Sequence, residues 1–339
     1  MDETALTPVT RLAPSPTGAL HLGNARTFLI NWAMARRRGW RIVFRMEDLD
    51  GPRVKAGADQ TAIEDLTWLG LDWDGEPTWQ RSDLTPYRTA LQTLHGRGEI
   101  YPCTCTRRDI RRARSAPHAD EHELRYPGTC RSRPASQIGL DGPADDEPAS
   151  PRDADHGSRP PDPACWRLFV PDEPVTFTDE IAGPQTFDVQ RDVGDFVVAT
   201  KAGLPAYQLA VVVDDARQRV SDVVRGDDLL SSSARQIWLY RMLGLAPLPR
   251  TWHLPLVLGF DGHRLAKRHG NTRLSRYRQL GVPSPCVVGL LAAWCGLLEK
   301  PRPMEAAEFL DRFDLDLVPR TPVTFTEEDH EWLVGAVSS

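Results

Sequence analysis

The segment from Arg11 to Asn24 most constrains what this chain can fold into. It is led by the β-branched and apolar residues 7–12, which predict a short buried strand. Two prolines and Gly18 then force a sharp turn. After Asn24 an apolar pattern predicts a helix that ends in three arginines and Gly39, and cations and glycine are favoured at a helix C-terminus. The segment therefore predicts a strand, a tight turn and a helix.

This order of elements is suited to binding the phosphates of a nucleotide, because backbone N–H groups and the helix dipole point outward at a helix N-terminus. Gly18 and Gly23 lack a Cβ, so that backbone and ligand can approach closely. His21 stands at the start of the helix, where a neutral imidazole can donate a hydrogen bond to a phosphate oxygen. Taken alone, the pattern more often belongs to an ordinary loop rich in proline and glycine.

Five segments together resemble the glutamyl branch of the class I aminoacyl-tRNA synthetases, and they occur in the order found in that family. In residues 11–26, the run His21-Leu-Gly-Asn24 occupies the place of the first ATP-binding motif. The run Arg264-Leu-Ala-Lys-Arg268 occupies the place of the second. The other three segments are residues 45–53, 207–215 and 224–230.

The resemblance implies an α/β fold, with a doubly wound parallel, Rossmann-like catalytic core, a zinc-binding insertion and a small C-terminal helical part. We expect the core at 7–100 and 196–275, the insertion at 101–195 and the helical part at 276–339. Within the insertion, residues 141–163 contain six Asp and six Pro and no large apolar side chain. Such a segment cannot bury enough surface to offset its ordering entropy, so we expect a mobile loop there.

Hydrophobic patterns predict the individual elements. An unbroken apolar run at 209–213 predicts a central parallel strand. A helix over 231–243 is expected to be capped by the serines that open it. The remaining expected strands are 41–45, 166–170, 175–177 and 220–224, and the remaining expected helices are 58–69, 85–97 and 285–298.

Cys103, Cys105 and Cys130 form the second notable set of residues. Zinc prefers thiolates in a tetrahedral shell, and three cysteines leave one ligand to be found. Cysteines buried in a core are the alternative interpretation. Members of the glutamyl branch hold a zinc with three Cys and a Tyr, and this resemblance implies one Zn²⁺ with Tyr126 as the fourth ligand. His118 and His122 are rivals for that place, whereas Cys165, Cys286 and Cys295 show no partner spacing and are expected in the core.

The resemblance also implies roles for individual residues in activating L-glutamate. Arg11 and Arg225 would pair with the substrate carboxylates, since arginine can clamp a carboxylate with two hydrogen bonds. Glu47 would pair with the ammonium group. Structural pairing of Glu47 with Arg45, or of Arg225 with Asp227, is the alternative. The full set of glutamate-binding positions implied is Arg11, Ala13, Ser15, Glu47, Tyr207 and Arg225.

ATP, bound with Mg²⁺, would contact Pro14, His21, Gly23, Asn24 and Lys267. His21 and Lys267 are the implied catalytic residues, because catalysis here is mostly positioning and the stabilisation of charge on the leaving pyrophosphate. The second motif departs from the family pattern: Arg264 replaces its first lysine and Ala266 its first serine. The loss of that hydroxyl leads us to expect a lower peak rate rather than loss of activity.

Composition constrains the partners only weakly. The net charge is −6 and the pI is near 5.9, but local patches rather than totals govern phosphate binding. Basic clusters occur at 36–38 and 107–114, and solvated helix faces are their alternative interpretation. No apolar run approaches the ~18–20 residues of a membrane span, and no signal peptide is evident at the N-terminus. We therefore expect a cytoplasmic protein, a monomer without membrane contact.

An ordinary synthetase of this branch continues well past the catalytic core into a helical domain that reads the anticodon, whereas only about 70 residues follow Lys267 here, and we expect no such domain among them. This plan resembles the short paralogues of the branch, which attach glutamate to the queuosine base of tRNA(Asp). The expected acceptor is therefore tRNA(Asp). Two alternatives stay open: a truncated or divergent glutamyl-tRNA synthetase that charges a tRNA 3′ end, and a non-catalytic module that binds zinc and tRNA.

Overall fold

The computed structural model describes residues 7–112, 125–132, 163–265 and 272–337. Outside them lie His118, His122, Lys267 and the expected mobile loop apart from Pro163. The strands are β1 (Val9–Leu12), β2 (Arg41–Met46), β3 (Thr78–Trp79), β4 (Ile100–Cys103), β5 (Cys165–Leu168), β6 (Val175–Asp179), β7 (Gly183–Phe187), β8 (Val197–Ala199), β9 (Asp222–Gly226), β10 (Arg250–Leu254), β11 (Val257–Leu258) and β12 (Val323–Thr324). The helices are α1 (Leu22–Arg38), α2 (Ala58–Trp68), α3 (Thr85–Gly96), α4 (Arg107–Arg112), α5 (Val189–Asp192), α6 (Tyr207–Arg217), α7 (Leu230–Leu243), α8 (Leu274–Gln279), α9 (Ser284–Trp294), α10 (Ala306–Arg312) and α11 (Glu327–Gly335).

Parallel strands form the centre of the molecule. β2 pairs in parallel with both β1 and β3, and β9 pairs in parallel with β10. The backbone N–H of Ser221 donates to the carbonyl oxygen of Val9 at 2.9 Å, which brings the start of β9 alongside β1. The two-stranded sheet of β9 and β10 therefore lies beside β1 of the three-stranded sheet. The predicted α/β class with a parallel, Rossmann-like core is confirmed.

Helix α1 follows β1 as predicted and covers the sheet. Its C-cap is Gly39, whose φ of 66° suits a residue without a Cβ, and the last turn carries the three arginines. Its side chains Leu29, Ile30 and Ala33 are fully buried in the main core. The helix begins at Leu22, before the expected Asn24, because His21 supplies the cap.

The prediction of a central strand at residues 209–213 is wrong: these residues lie in the middle of α6. All eight residues from Gln208 to Asp215 are buried, so this helix is enclosed on every side. A helix of that kind carries apolar residues all round, and its sequence has no helical period to distinguish it from a buried strand.

The expectation that serines cap α7 is also wrong. The helix begins at Leu230, its N-cap is Leu229, and that cap makes no side-chain hydrogen bond. Ser232 and Ser233 lie in the first turn of the helix, where both are buried. Their hydroxyls instead accept hydrogen bonds from Gln208 and Arg225 respectively.

Smaller sheets lie beside the parallel one. β4, β5 and β8 form an antiparallel sheet, and β6 and β7 form a hairpin. The C-terminal helices share the main core with α1, and α9 comes so close to residue 302 that a Cβ on Gly289 would lie 1.7 Å from its carbonyl oxygen. Across the described ranges, we find no helix with the length and apolar character needed to cross a membrane.

Candidate active site

A cavity of about 770 Å³ opens at the C-terminal ends of β1, β2 and β9, beside the start of α1. Ligands of open parallel sheets bind at this edge. Pro14 lies next to the cavity, where its carbonyl oxygen accepts a hydrogen bond from the backbone N–H of Glu47 at 3.0 Å. The predicted site residues that line the cavity are Arg11, Ala13, Ser15, His21, Gly23, Asn24, Glu47, Tyr207 and Arg225.

His21 and Asn24 form a capping box at the start of α1. The Nδ1 of His21 accepts from the backbone N–H of Asn24, and the Oδ1 of Asn24 accepts from the backbone N–H of His21, both at 3.3 Å. Because Nδ1 is an acceptor, the neutral imidazole carries its proton on Nε2. A Cβ on Gly23 would lie 3.1 Å from ring atoms of His21. A side chain larger than glycine at this position would therefore push the imidazole away by a few tenths of an ångström.

Arg45 is the centre of a buried cluster of charges beneath the cavity. Its Nη2 lies 2.8 Å from Oδ1 of Asp215 and 3.2 Å from Oε1 of Glu47, and its Nε lies 3.8 Å from Oδ2 of Asp214. Burial alone would lower the pKa of Arg45, but the three carboxylates outweigh it and raise that pKa. Arg45 therefore remains charged.

Glu47 pairs with Arg45, which is the alternative that the sequence left open for it. It also lines the cavity. Burial raises the pKa of Glu47, while Arg45 and Arg11 oppose that rise. The Nη1 of Arg11 donates to the carbonyl oxygen of Val224 at 3.2 Å, and its Nε lies 3.6 Å from Oδ1 of Asp215. Burial lowers the pKa of Arg11, and Arg45 and Arg225 lower it further against the attraction of Asp215. An anionic ligand in the cavity would relieve this repulsion between cations.

Arg225 has no carboxylate partner among the described residues. The alternative interpretation, in which it pairs with Asp227, is therefore wrong. Its Nη2 donates to Ser233 Oγ and Gln236 Oε1, and its Nε donates to His253 Nε2, all at 2.9 Å. Its Nη1 is buried and has no hydrogen-bond partner within the described ranges. A guanidinium held by neutral groups, with one nitrogen unsatisfied, is well suited to receive a carboxylate.

His253 and Asp179 are site residues that the sequence analysis missed. His253 Nδ1 lies 2.6 Å from Asp179 Oδ2, and both side chains are fully buried. Burial and the charge of Arg225 lower the pKa of His253 against the pull of Asp179, which keeps the ring neutral. A polar residue inside the apolar run 252–258 is the only sequence signal for this pair.

The second ATP-binding motif is described only at its edges. Arg264 lines the cavity and forms an ion pair with Asp228. The N–H of Leu265 donates to the carbonyl oxygen of Val257 at 2.8 Å. On the far side of the gap, the carbonyl oxygen of Thr272 accepts from the N–H of Leu22 at 3.0 Å. Val257 is itself close to α1, because a Cβ on Gly23 would lie 3.5 Å from its Cβ. The described residues on either side of 266–271 therefore both lie near the start of α1.

The predicted metal ligands come together at the end of β4. The Sγ atoms of Cys103, Cys105 and Cys130 all lie within 4.8 Å of one another, and those of Cys105 and Cys130 are 3.6 Å apart. The Oη of Tyr126 lies 3.3 Å from Cys103 Sγ and 3.9 Å from Cys105 Sγ. Tetrahedral zinc with bonds of about 2.3 Å requires sulfurs separated by about 3.8 Å. These four side chains fit such an ion.

Cys165 is buried as expected, but it also contacts the cluster of cysteines. It is the cross-strand partner of Cys103, and its Sγ donates to the Cys103 carbonyl oxygen at 3.3 Å. Hydrogen bonds from Cys165, Tyr126 and Arg167 lower the pKa of Cys103 to about 4 against the effect of burial. The thiolate is the form of cysteine that binds metals.

The basic stretch at 107–114 begins in α4, directly after the cysteine pair. Arg107, Arg108 and Arg111 are exposed on this helix. Residues 113 and 114 lie outside the described part of the chain. The exposed arginines stand beside the cluster of cysteines, and nothing within the described ranges covers them.

Comparisons with known proteins agree with this geometry. The family model for tRNA synthetases class I (E and Q), catalytic domain, matches residues 8–332. A glutamyl-Q tRNA(Asp) synthetase of Symbiobacterium thermophilum is 45% identical over 339 residues, which covers 97% of this chain and 99% of that protein. Its counterpart in Rhodopirellula baltica is 43% identical over 93% of this chain and 95% of its own length.

Longer relatives match as well. A glutamate–tRNA ligase 2 of Halorhodospira halophila is 38% identical over 96% of this chain but only 64% of its own length. Among solved structures, a glutamate tRNA ligase from Elizabethkingia meningosepticum superposes with a TM-score of 0.76, at 23% identity, over 96% of this chain and 68% of that one. This likeness supports the fold.

Proposed function

Because this chain belongs to the family of class I tRNA synthetases (E and Q), we propose that it activates L-glutamate with ATP. The α-carboxylate of glutamate attacks the α-phosphorus of ATP, which releases pyrophosphate and leaves glutamyl-adenylate. A hydroxyl of the queuosine base at the wobble position of tRNA(Asp) then attacks the activated carbonyl and releases AMP. Neither step requires a protein nucleophile, so the protein acts by positioning and electrostatics.

The unsatisfied Nη1 of Arg225 is the observation that carries the assignment of glutamate. It belongs to a cation that lines the same cavity as Arg11 and Glu47. The cavity therefore offers two cations, Arg11 and Arg225, for the two carboxylates of glutamate, and one anion, Glu47, for its ammonium group. Ala13, Ser15 and Tyr207 complete the proposed glutamate site. The carboxylate specificity follows from arginine's paired donors.

ATP binds, in this proposal, at the start of α1. Backbone N–H groups at that helix end favour anions, and the Nε2–H of His21 is the donor for a phosphate oxygen. Gly23, Asn24 and Pro14 shape the same part of the cavity. The described ends of the second motif lie beside α1, which supports Lys267 as the second cation for the phosphates, with Mg²⁺ accompanying ATP.

The metal proposed for the cysteine cluster is Zn²⁺, held by Cys103, Cys105, Tyr126 and Cys130. The ion would tie residues 126–130 to the end of β4, so its contribution is structural cross-linking. Soft thiolate ligands at these separations are the observation that supports zinc. The neighbouring α4 arginines are then held in place to meet the phosphates of RNA.

The proposed acceptor follows from the relatives. Six of those matched, at 38–45% identity, are named glutamyl-Q tRNA(Asp) synthetase. The second candidate is the charging of a tRNA 3′ end, which the 37–38% identity to proteins named glutamate–tRNA ligase favours. The higher identity over nearly the whole of the first two relatives favours the queuosine acceptor.

Pyrophosphate exchange tests the proposed activation step. Labelled pyrophosphate should enter ATP when L-glutamate is present, and glutamine or aspartate should support exchange poorly. We expect this exchange without any tRNA. If no amino acid supports exchange in the presence or absence of tRNA, the chain does not form an adenylate and the proposal fails.

A further inference from the structure

A buried line of three polar side chains runs behind the candidate site. Asp179 ends β6, His253 lies in β10 and Arg225 lies in β9, so three different strands supply them. Their exposed fractions are 1%, 1% and 5%. The contacts are 2.6 Å from Asp179 Oδ2 to His253 Nδ1 and 2.9 Å from His253 Nε2 to Arg225 Nε.

The protons on this line can be placed from the donors and acceptors alone. The Nε of arginine can only donate, so the facing Nε2 of His253 must accept. A neutral ring then carries its proton on Nδ1 and donates it to Asp179 Oδ2. The other oxygen of Asp179 is occupied, because it accepts the backbone N–H groups of Ile181, Ala182 and His253 at 2.8–3.2 Å. With the proton on Nε2 instead, the ring would place an N–H donor against the Nε–H donor of Arg225.

The line also fixes the orientation of the guanidinium. With Nε on His253 and Nη2 on Ser233 and Gln236, the plane of Arg225 is held at two of its three nitrogens. The third, Nη1, is the one without a protein partner. A rigid fork loses less entropy when it binds a carboxylate than one that must first be ordered.

We propose that Asp179 and His253 are positioning residues that hold Arg225 with its Nη1 presented to the carboxylate of the amino-acid substrate. This rests on the proposed function, in which Arg225 binds glutamate. Asp179 acts through the histidine tautomer, and His253 acts as the fixed acceptor for Arg225. Neither residue contacts the reacting atoms.

Asp179→Asn is the sharpest variant. The amide keeps an oxygen for the three backbone N–H groups and turns its NH₂ toward His253 Nδ1. The ring must then move its proton to Nε2, where it opposes the Nε–H of Arg225. Exchange kinetics should show KM for glutamate raised by about tenfold or more, with KM for ATP within about twofold, since a wrong tautomer disables an otherwise intact geometry.

Two variants at His253 separate positioning from packing. His253→Gln can supply an acceptor to Arg225 and should recover part of the affinity for glutamate that His253→Leu loses. Asp222→Asn is the matched control, because Asp222 is also fully buried in the sheet but bonds to Trp252 and Arg250 rather than to this line. That control should leave KM for glutamate unchanged.

Nitrogen NMR of the wild-type protein with labelled histidine tests the tautomer without any substitution. The His253 signals, assigned by their absence in His253→Gln, should show a protonated Nδ1 and a bare Nε2. A proton on Nε2 would overturn the inference, and so would a KM for glutamate that stays within twofold in folded Asp179→Asn and His253→Leu. Absence of glutamate-dependent exchange in the wild type would instead refute the proposed function.

Discussion

The imidazole of His21 and the amide of Asn24 cap each other's backbone at the start of α1, through two hydrogen bonds of 3.3 Å. The pair satisfies N–H groups that a helix end leaves open. It also fixes which ring nitrogen of His21 carries the proton. The four residues from His21 to Asn24 thus begin the helix and also orient the Nε2–H donor of His21 toward the cavity.

Gly23→Ala tests the space beneath that ring. The new Cβ would lie 3.1 Å from the imidazole, so the ring must shift by a few tenths of an ångström. We expect kcat/KM for ATP in the exchange reaction to fall about tenfold, because small displacements of catalytic groups are costly. Gly96→Ala is the control, since nothing lies within 4 Å of a Cβ there. Equal rates for both variants would contradict the assigned role of His21.

Lys267→Ala should slow glutamate-dependent pyrophosphate exchange by more than about tenfold, by comparison with the loss of one oxyanion-hole donor, which costs ~2.7–4 kcal/mol. Lys300→Ala, which removes an exposed lysine in the C-terminal part, should leave the rate unchanged. If the two variants behave alike, the second ATP-binding motif has been assigned to the wrong residues.

Cys103→Ser should lower the zinc content of the purified protein from one ion per chain to well below that, because three ligands bind a divalent ion far more weakly than four. Elemental analysis of metal-replete protein measures this directly. Cys286→Ser provides the comparison, because Cys286 is equally buried but lies in α9, away from the cluster. Zinc absent from the wild type, or unchanged in Cys103→Ser, would refute the metal site.

Asp179 should contribute to the pH dependence of the free energy of unfolding. Burial would raise the pKa of Asp179, but hydrogen bonds from His253, Ala182 and Ile181 lower it to about 2. A carboxyl with a depressed pKa stabilises the fold above its unfolded pKa of about 3.9, and this contribution is lost as the pH falls toward 2. The difference in free energy of unfolding between wild type and Asp179→Asn should therefore shrink between pH 4 and pH 2, as measured by denaturant titration. A constant difference would mean that Asp179 has an ordinary pKa.

The sequence sufficed where the determinants are local. The arginines and the glycine that end α1 are adjacent in the chain, and the three cysteines lie within 28 residues of one another. The residues around the cavity were predicted from short segments that resemble a family. Each of these patterns depends on residues that lie close together in the chain, so it can be recognised without the fold.

Two features could not be predicted because their causes are distant in the chain. Helix α6 is enclosed on all sides, so no polar face marks its period. Arg225 and His253 are 28 residues apart, and His253 and Asp179 are 74 apart. Only the pairing of β9 with β10, and the approach of β6 to them, brings these side chains together.

Transfer of labelled glutamate tests the central claim most directly. The chain would be given ATP, glutamate and either tRNA(Asp) containing queuosine, tRNA(Asp) lacking it, or tRNA(Glu), and nuclease digestion would locate the label. We predict label only in the anticodon fragment of the queuosine-containing tRNA(Asp). Efficient esterification of the 3′ adenosine of tRNA(Glu) would contradict the proposal and favour a glutamyl-tRNA synthetase.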